Sequence, residues 1–183
     1  MNTKTLINIS RVEMSDAMSF PLLELYKLNQ AEFTKALGWV FEHSPWVAER
    51  AWVKQPFLTV NDLHHVMKNV VEQSSIEEKL ALLRAHPDLA GRVQMADASI
   101  KEQAGAGLDR LSKEEHEEFL SLNETYTRKF GFPFIMAVKG QNKESIRASL
   151  KERVNNSPDN ELKESLNQIY KIAFFRLEDF ITS

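Results

Sequence analysis

Helix-start signals recur along almost the whole length of this chain, and strand signal is confined to one short run. Asn29 stands three residues before Glu32, ahead of Phe33, Leu37, Val40 and Phe41 on one helical face. Ser44-Pro45 reads as an N-cap followed by proline at the first helical position, with Pro56 as the far limit. Asn61 is placed to open a helix that turns Leu63, Val66, Met67, Val70 and Val71 inward. Ser75 with Glu78 and Ser112 with Glu115 have the spacing of capping boxes. The first precedes Leu80 and Leu83 and must end before Pro87. The second precedes Phe119, Leu122, Tyr126 and Phe130, with Gly131 where a C-terminal cap belongs. Asn142 leads into Ile146, Leu150 and Val154, and Ser157-Pro158 opens a last helix reaching to about Ile181. The exception is FPFIMAV, residues 132–138, too short and proline-marked for a helix and read as a buried extended segment. The predicted fold class is all-α: residues 1–183 form a single-domain bundle of about eight helices with one short buried extended segment.

Composition narrows the function. A length of 183 residues with 43% hydrophobic and 27% charged residues suits one globular domain. A net charge of −3 with no basic stripe argues against nucleic acid as partner. The absence of cysteine removes disulfides, thiolate chemistry and zinc–sulfur sites. No apolar run reaches the ~18–20 residues that span a bilayer, so no membrane partner is expected. The N-terminal MNTKTLINIS has no signal-peptide pattern and the C-terminal FITS is no peroxisomal address, so a cytoplasmic location is expected.

Few residues invite chemistry. His116-Glu117 begins a metalloprotease motif, but Leu120 occupies the second histidine position. His64 and His65 point to different helix faces, and no metal site is expected from any of the five histidines. His86 is different, because it ends a helix and precedes Pro87. A helix C-terminus favours imidazolium, so His86 is either a proton donor or a capping residue that satisfies the last carbonyls. In the last helix Leu162, Leu166, Ile169, Ala173 and Phe180 define a core-facing arc, and Arg176 falls about 40° from its centre. A guanidinium there needs an anionic or strongly polar partner, either a protein carboxylate or a substrate group. Ser99 and Glu102 fit a capping box, and the helix start they mark also suits a carbonyl or anionic ligand. Any unpaired peptide groups of FPFIMAV need partners, and a polar ring is one destination. Two other readings are an interaction module, since Phe174 and Phe175 fall off the core arc, and a helix-turn-helix binder, which the charge disfavours.

The motifs FEHSPWVAER (41–50), HPDLAG (86–91), SIKEQAGAGL (99–108), LNETYTRKFGFPFIMAVKG (122–140) and IYKIAFFRL (169–177) span most of the chain in order. Together the chain resembles the family of decarboxylases that convert 2-oxo-4-hydroxy-4-carboxy-5-ureidoimidazoline (OHCU) to (S)-allantoin. The resemblance implies an all-helical, dimeric enzyme with no cofactor. It implies that His86 is catalytic together with Glu102, and that Pro87 lines the pocket. It assigns substrate binding to Ser99, Ile100, Lys101, Glu102 and Gln103, to the backbone of Phe134, Ile135, Met136, Ala137 and Val138, and to Arg176. The stretch between HPDLAG and Ser99 is shorter than in many members, which bears on that loop but on no matched residue. Some bacilli carry this domain fused ahead of a urate oxidase domain, so fusion to, or pathway partnership with, urate oxidase and hydroxyisourate hydrolase is expected. The expected homodimer also has a reason in the sequence: Tyr170, Phe174, Phe175 and Ile181 widen the last helix's apolar surface.

Overall fold

In a computed structural model, which describes residues 20–89 and 97–182, eight α-helices carry the fold. They are α1 (Gln30–Leu37), α2 (Trp46–Trp52), α3 (Val60–Glu72), α4 (Ile76–Arg84), α5 (Asp97–Gly105), α6 (Lys113–Phe130), α7 (Lys143–Arg153) and α8 (Pro158–Phe180). The caps explain most boundaries. Asn29, Ser75, Ser112 and Asn142 each accept the amide of the residue three positions on, in reciprocal capping boxes. Gly131 closes α6 at φ 77°, a left-handed conformation that glycine adopts without penalty. Ser157 caps α8 with Pro158 at its first position.

Four boundaries differ from the sequence reading. Helix α1 stops at Leu37, and Val40 and Phe41 are buried from a following run of turns. Gly38 starts that run because a Cβ there would lie 2.6 Å from the Thr34 carbonyl oxygen. Ser44 makes no side-chain cap: Pro45 is already helical at φ −62°, and the Ser44 carbonyl accepts from the Val47 amide. Thr59, not Asn61, caps α3, because its extended backbone aims the hydroxyl at the Asp62 amide. Helix α5 begins at Asp97, so Ser99 lies inside its first turn and not at its cap.

Helix α8 is the spine, packing on α3 and α4 while α6 packs on α7. Its Leu166, Ile169, Tyr170, Ile172, Ala173 and Leu177 join one core with Phe33, Phe41, Leu63, Met67, Leu82, Leu83, Phe119 and Tyr126. At roughly 25 cal/mol per Å² of apolar surface removed from water, this shared core is the main stabilising contribution. Two short strands, β1 (Phe20–Pro21) and β2 (Ile181–Thr182), pair in parallel and tie the segment before α1 to the end of α8. Tyr170 and Ile181, expected to widen an exposed patch, are buried inside the protomer. Phe174 and Phe175 are half-buried; Phe174 packs on the His64 ring at 5.1 Å, and Lys139 lies over Phe175.

Candidate active site

The site begins where α4 ends. Pro87 forbids further helix, and His86 turns back so that Nδ1 lies 3.0 Å from the Leu82 carbonyl oxygen. A carbonyl only accepts, so Nδ1 carries the hydrogen and Nε2 presents a lone pair. Nε2 is buried and meets no hydrogen-bond partner among the described residues. Burial pushes the imidazole's pKa down to about 4; the Leu82 carbonyl and Glu42 oppose this, and Arg176 and His43 add to it. The imidazolium expected from the helix terminus is therefore not the resting form. Desolvation of a ring only 7% exposed outweighs the partial charge of one helix end. The capping and chemical readings of His86 coexist, one nitrogen serving each.

Arg176 reaches the same region from α8. Its Nε and Nη2 donate to the two carboxylate oxygens of Glu102 at 2.7 and 3.0 Å. Its Nη1 donates to Glu42 at 2.9 Å and to the carbonyls of Trp39 and Val40 at 3.3 Å each. Burial would lower the guanidinium's pKa, but the hydrogen bond and charge of Glu102, followed by Glu42, raise it. Of the two partners open to Arg176 in the sequence, the protein carboxylate is the one this structure holds. The two carboxylates differ in setting. The Glu42 side chain is fully buried, whereas that of Glu102 is 29% exposed. Glu42 also sits at φ 50°, a left-handed conformation that costs a non-glycine residue about 1 kcal/mol or more.

Between these groups lies a cleft enclosing about 340 Å³, counting space open to solvent. His86, Pro87, Glu102, Gln103, Phe134, Ile135, Met136, Val138 and Arg176, all expected site residues, line it. Three other expected residues do not: Ile100 and Lys101 are exposed on α5 and outside the lining, and the Ala137 amide is bonded to Gln168. The side chain of Ser99, on α5, and Ala90 and Gly91 of the HPDLAG motif lie outside the described residues. Leu89 and Ile172 also line the cavity and were not foreseen. Ile172 had a signal, standing four residues before Arg176 on the same helical face. Glu42 had a weaker one, as the acid inside the largely apolar run WVFEHSPW. Asn123, whose side-chain amide holds the Leu89 carbonyl at 2.6 Å, was marked only by its place between Phe119 and Tyr126 on the buried face of α6. Among the described residues no three His, Asp or Glu side chains gather as a metal site would require.

Comparison with known proteins places this geometry. A family profile described as OHCU decarboxylase matches residues 26–178. The 2-oxo-4-hydroxy-4-carboxy-5-ureidoimidazoline decarboxylase of Haloferax volcanii is 47% identical over 162 residues, covering 88% of this chain and 96% of that protein. The uric acid degradation bifunctional protein of Bacillus subtilis is 43% identical over 163 residues, which are 89% of this chain but 33% of the relative. Among solved structures, (S)-allantoin synthase superposes with a TM-score of 0.72 at 34% identity, over 89% of this chain and 54% of the other. An OHCU decarboxylase crystallised in the presence of (S)-allantoin shares the fold, with a TM-score of 0.64 at 24% identity, over 75% of this chain and 92% of the other.

Proposed function

The chain belongs to the OHCU decarboxylase family, and on that premise we propose that it decarboxylates OHCU with His86 as the proton-handling group. The reaction is loss of CO2 from OHCU to give (S)-allantoin, a step of urate breakdown. The observation that carries the residue assignment is the buried, unpartnered Nε2 of a neutral His86 at the wall of the cavity.

The chemistry asks little of the protein. The substrate carbon that bears the carboxylate also bears a hydroxyl and neighbours a C=N bond. When the C–CO2 bond breaks, its electron pair forms a C=C bond and the C=N pair moves onto nitrogen, which takes a proton. The resulting enol then loses its hydroxyl proton and gains one on the adjacent carbon, which becomes the stereocentre. The net change is release of CO2 and uptake of one proton, with no external electron sink. The site need only orient the ring and move protons. His86 Nε2 takes the hydroxyl proton. An anionic substrate in this poorly solvated cavity raises the proton affinity of the imidazole, so the base strengthens as substrate binds. Glu102 faces the same space and shares the proton traffic. Arg176, braced from behind by Glu42, holds a carbonyl or ureido oxygen, and the peptide groups of Phe134 to Val138 complete the ring's polar contacts.

The finer expectations belong to the same reading: a homodimer, residence in the cytosol, and action beside urate oxidase and hydroxyisourate hydrolase. No helix among the described residues is long and apolar enough to cross a membrane. The test is to add the protein to OHCU freshly generated by uricase and hydrolase and to follow optical activity. A single allantoin enantiomer supports the reading; a racemate formed at the spontaneous rate overturns it.

A further inference from the structure

Residues 134–138 are gripped from the side away from the cavity, and the grip fixes which peptide groups remain for a ligand. Arg153 Nη1 donates to the Ile135 carbonyl at 2.8 Å. Gln168 Oε1 accepts the Ala137 amide at 3.0 Å. Both peptide bonds flanking Met136 are trans, so each carbonyl points opposite to the N–H of the same peptide unit. The Met136 N–H therefore points away from Arg153, and the Met136 carbonyl away from Gln168. Ile135 and Met136 line the cavity, whereas Arg153 and Gln168 do not. Among the described residues neither Met136 peptide group makes a hydrogen bond.

We propose that Arg153 and Gln168 are positioning residues that turn the peptide edge of Met136, one donor beside one acceptor, into the cavity to pair with the N–H and C=O edge of a lactam or ureido group. This rests on the function proposed above. Both grips are themselves held. Arg153 Nε and Nη2 donate to Glu161 at 2.9 and 2.6 Å, the Tyr126 hydroxyl bonds to the same carboxylate, and the guanidinium stacks 4.6 Å over Phe134. Gln168 Nε2 donates to Glu164 at 2.6 Å, which leaves Oε1 to face Ala137. A buried ion pair is a poor device for stability alone. This one ends on backbone atoms of the segment that lines the cavity.

The experiment compares Gln168→Met, which removes the acceptor, with the double variant Glu164→Gln/Gln168→Glu, which keeps an oxygen facing Ala137 and reverses donor and acceptor in the hydrogen bond between residues 164 and 168. Arg153→Lys keeps the charge beside Glu161 but shortens the reach to Ile135. KM and kcat toward freshly generated OHCU are measured per folded molecule, with folded fraction from thermal melts. Gln168→Met and Arg153→Lys should raise KM roughly fivefold to tenfold with kcat less affected, the effect of one misplaced hydrogen bond. The double variant should return KM to within about twofold of the parent. Parental KM in the folded fraction of both impaired variants, or a double variant as impaired as Gln168→Met, overturns the proposal and leaves the function standing. An inactive parent protein overturns the function and this proposal with it.

Discussion

Replacing His86 with asparagine should change how stability depends on pH, because the native imidazole is held neutral by burial. In an unfolded chain the group titrates near its ordinary pKa of about 6.5. In the fold its pKa is about 4. Above the unfolded value neither state binds the proton, and the contribution of the neutral ring is fully present. As pH falls below about 6.5 the unfolded chain takes up a proton that the native chain refuses, and stability is lost until the native ring protonates as well. A shift of two to three units at about 1.4 kcal/mol per unit gives roughly 3 kcal/mol between neutral pH and pH 4. Asparagine does not titrate and can still donate to the Leu82 carbonyl. Urea unfolding followed by tryptophan fluorescence, run on both proteins at a series of pH values, isolates the term. The difference between parent and variant should be flat above neutrality and move by about 3 kcal/mol in the variant's favour towards pH 4. The acid limb of parental kcat/KM should likewise lie well below the ordinary histidine range. Parallel stability profiles would mean that the native ring titrates as in the unfolded chain, and the assignment of Nε2 as a desolvated base would go with them.

Other outcomes follow from the same geometry. His86→Asn should fold at neutral pH and lose most OHCU turnover, and near-parental turnover would remove His86 from the mechanism. Arg176→Lys should destabilise the fold by about 3 kcal/mol or more in urea, because one ammonium cannot replace a fork on Glu102 and a third bond to the fully buried Glu42. Its folded fraction should also show reduced kcat/KM; parental turnover per folded molecule would make Arg176 purely structural. Prolonged chelator treatment should leave activity unchanged, and loss restored by one divalent ion would count against the reading. Light scattering at micromolar concentration should give twice the 21.1 kDa chain mass, and a monomer mass would refute the dimer.

The fold was legible where its causes are local. A capping box spans four residues, so Asn29, Ser75, Ser112 and Asn142 could be read directly, and Gly131 marked its own helix end. Legibility failed where a neighbour in sequence competes or a distant partner decides. Thr59 outcompetes Asn61 by backbone conformation, which residue type alone does not reveal. The pairing of Phe20 with Ile181 joins residues far apart in the sequence and leaves no local pattern.

The site divides in the same way. Pro87 marked His86 and the α8 arc marked Arg176, but neither could reveal its electrostatic state. The protonation of His86 depends on how deeply its ring is buried, and burial is a property of the assembled core. The partners of Arg176 lie 74 and 134 residues away in sequence, on α5 and in the turn after α1. That turn was read as more helix, which would have tied up the Val40 carbonyl in a backbone hydrogen bond. Because the helix stops at Leu37, the Val40 carbonyl and the left-handed Glu42 converge on Nη1, joined by the Trp39 carbonyl, which also accepts the Glu42 amide at 3.0 Å. The guanidinium is thus anchored on its buried side, and its other edge meets Glu102, the more solvent-accessible carboxylate. A ligand oxygen competing for Nε and Nη2 would displace Glu102 alone, leaving Arg176 in place. The same step would free a carboxylate on the cavity that His86 also lines, where the proposed reaction needs a second group able to hold a proton.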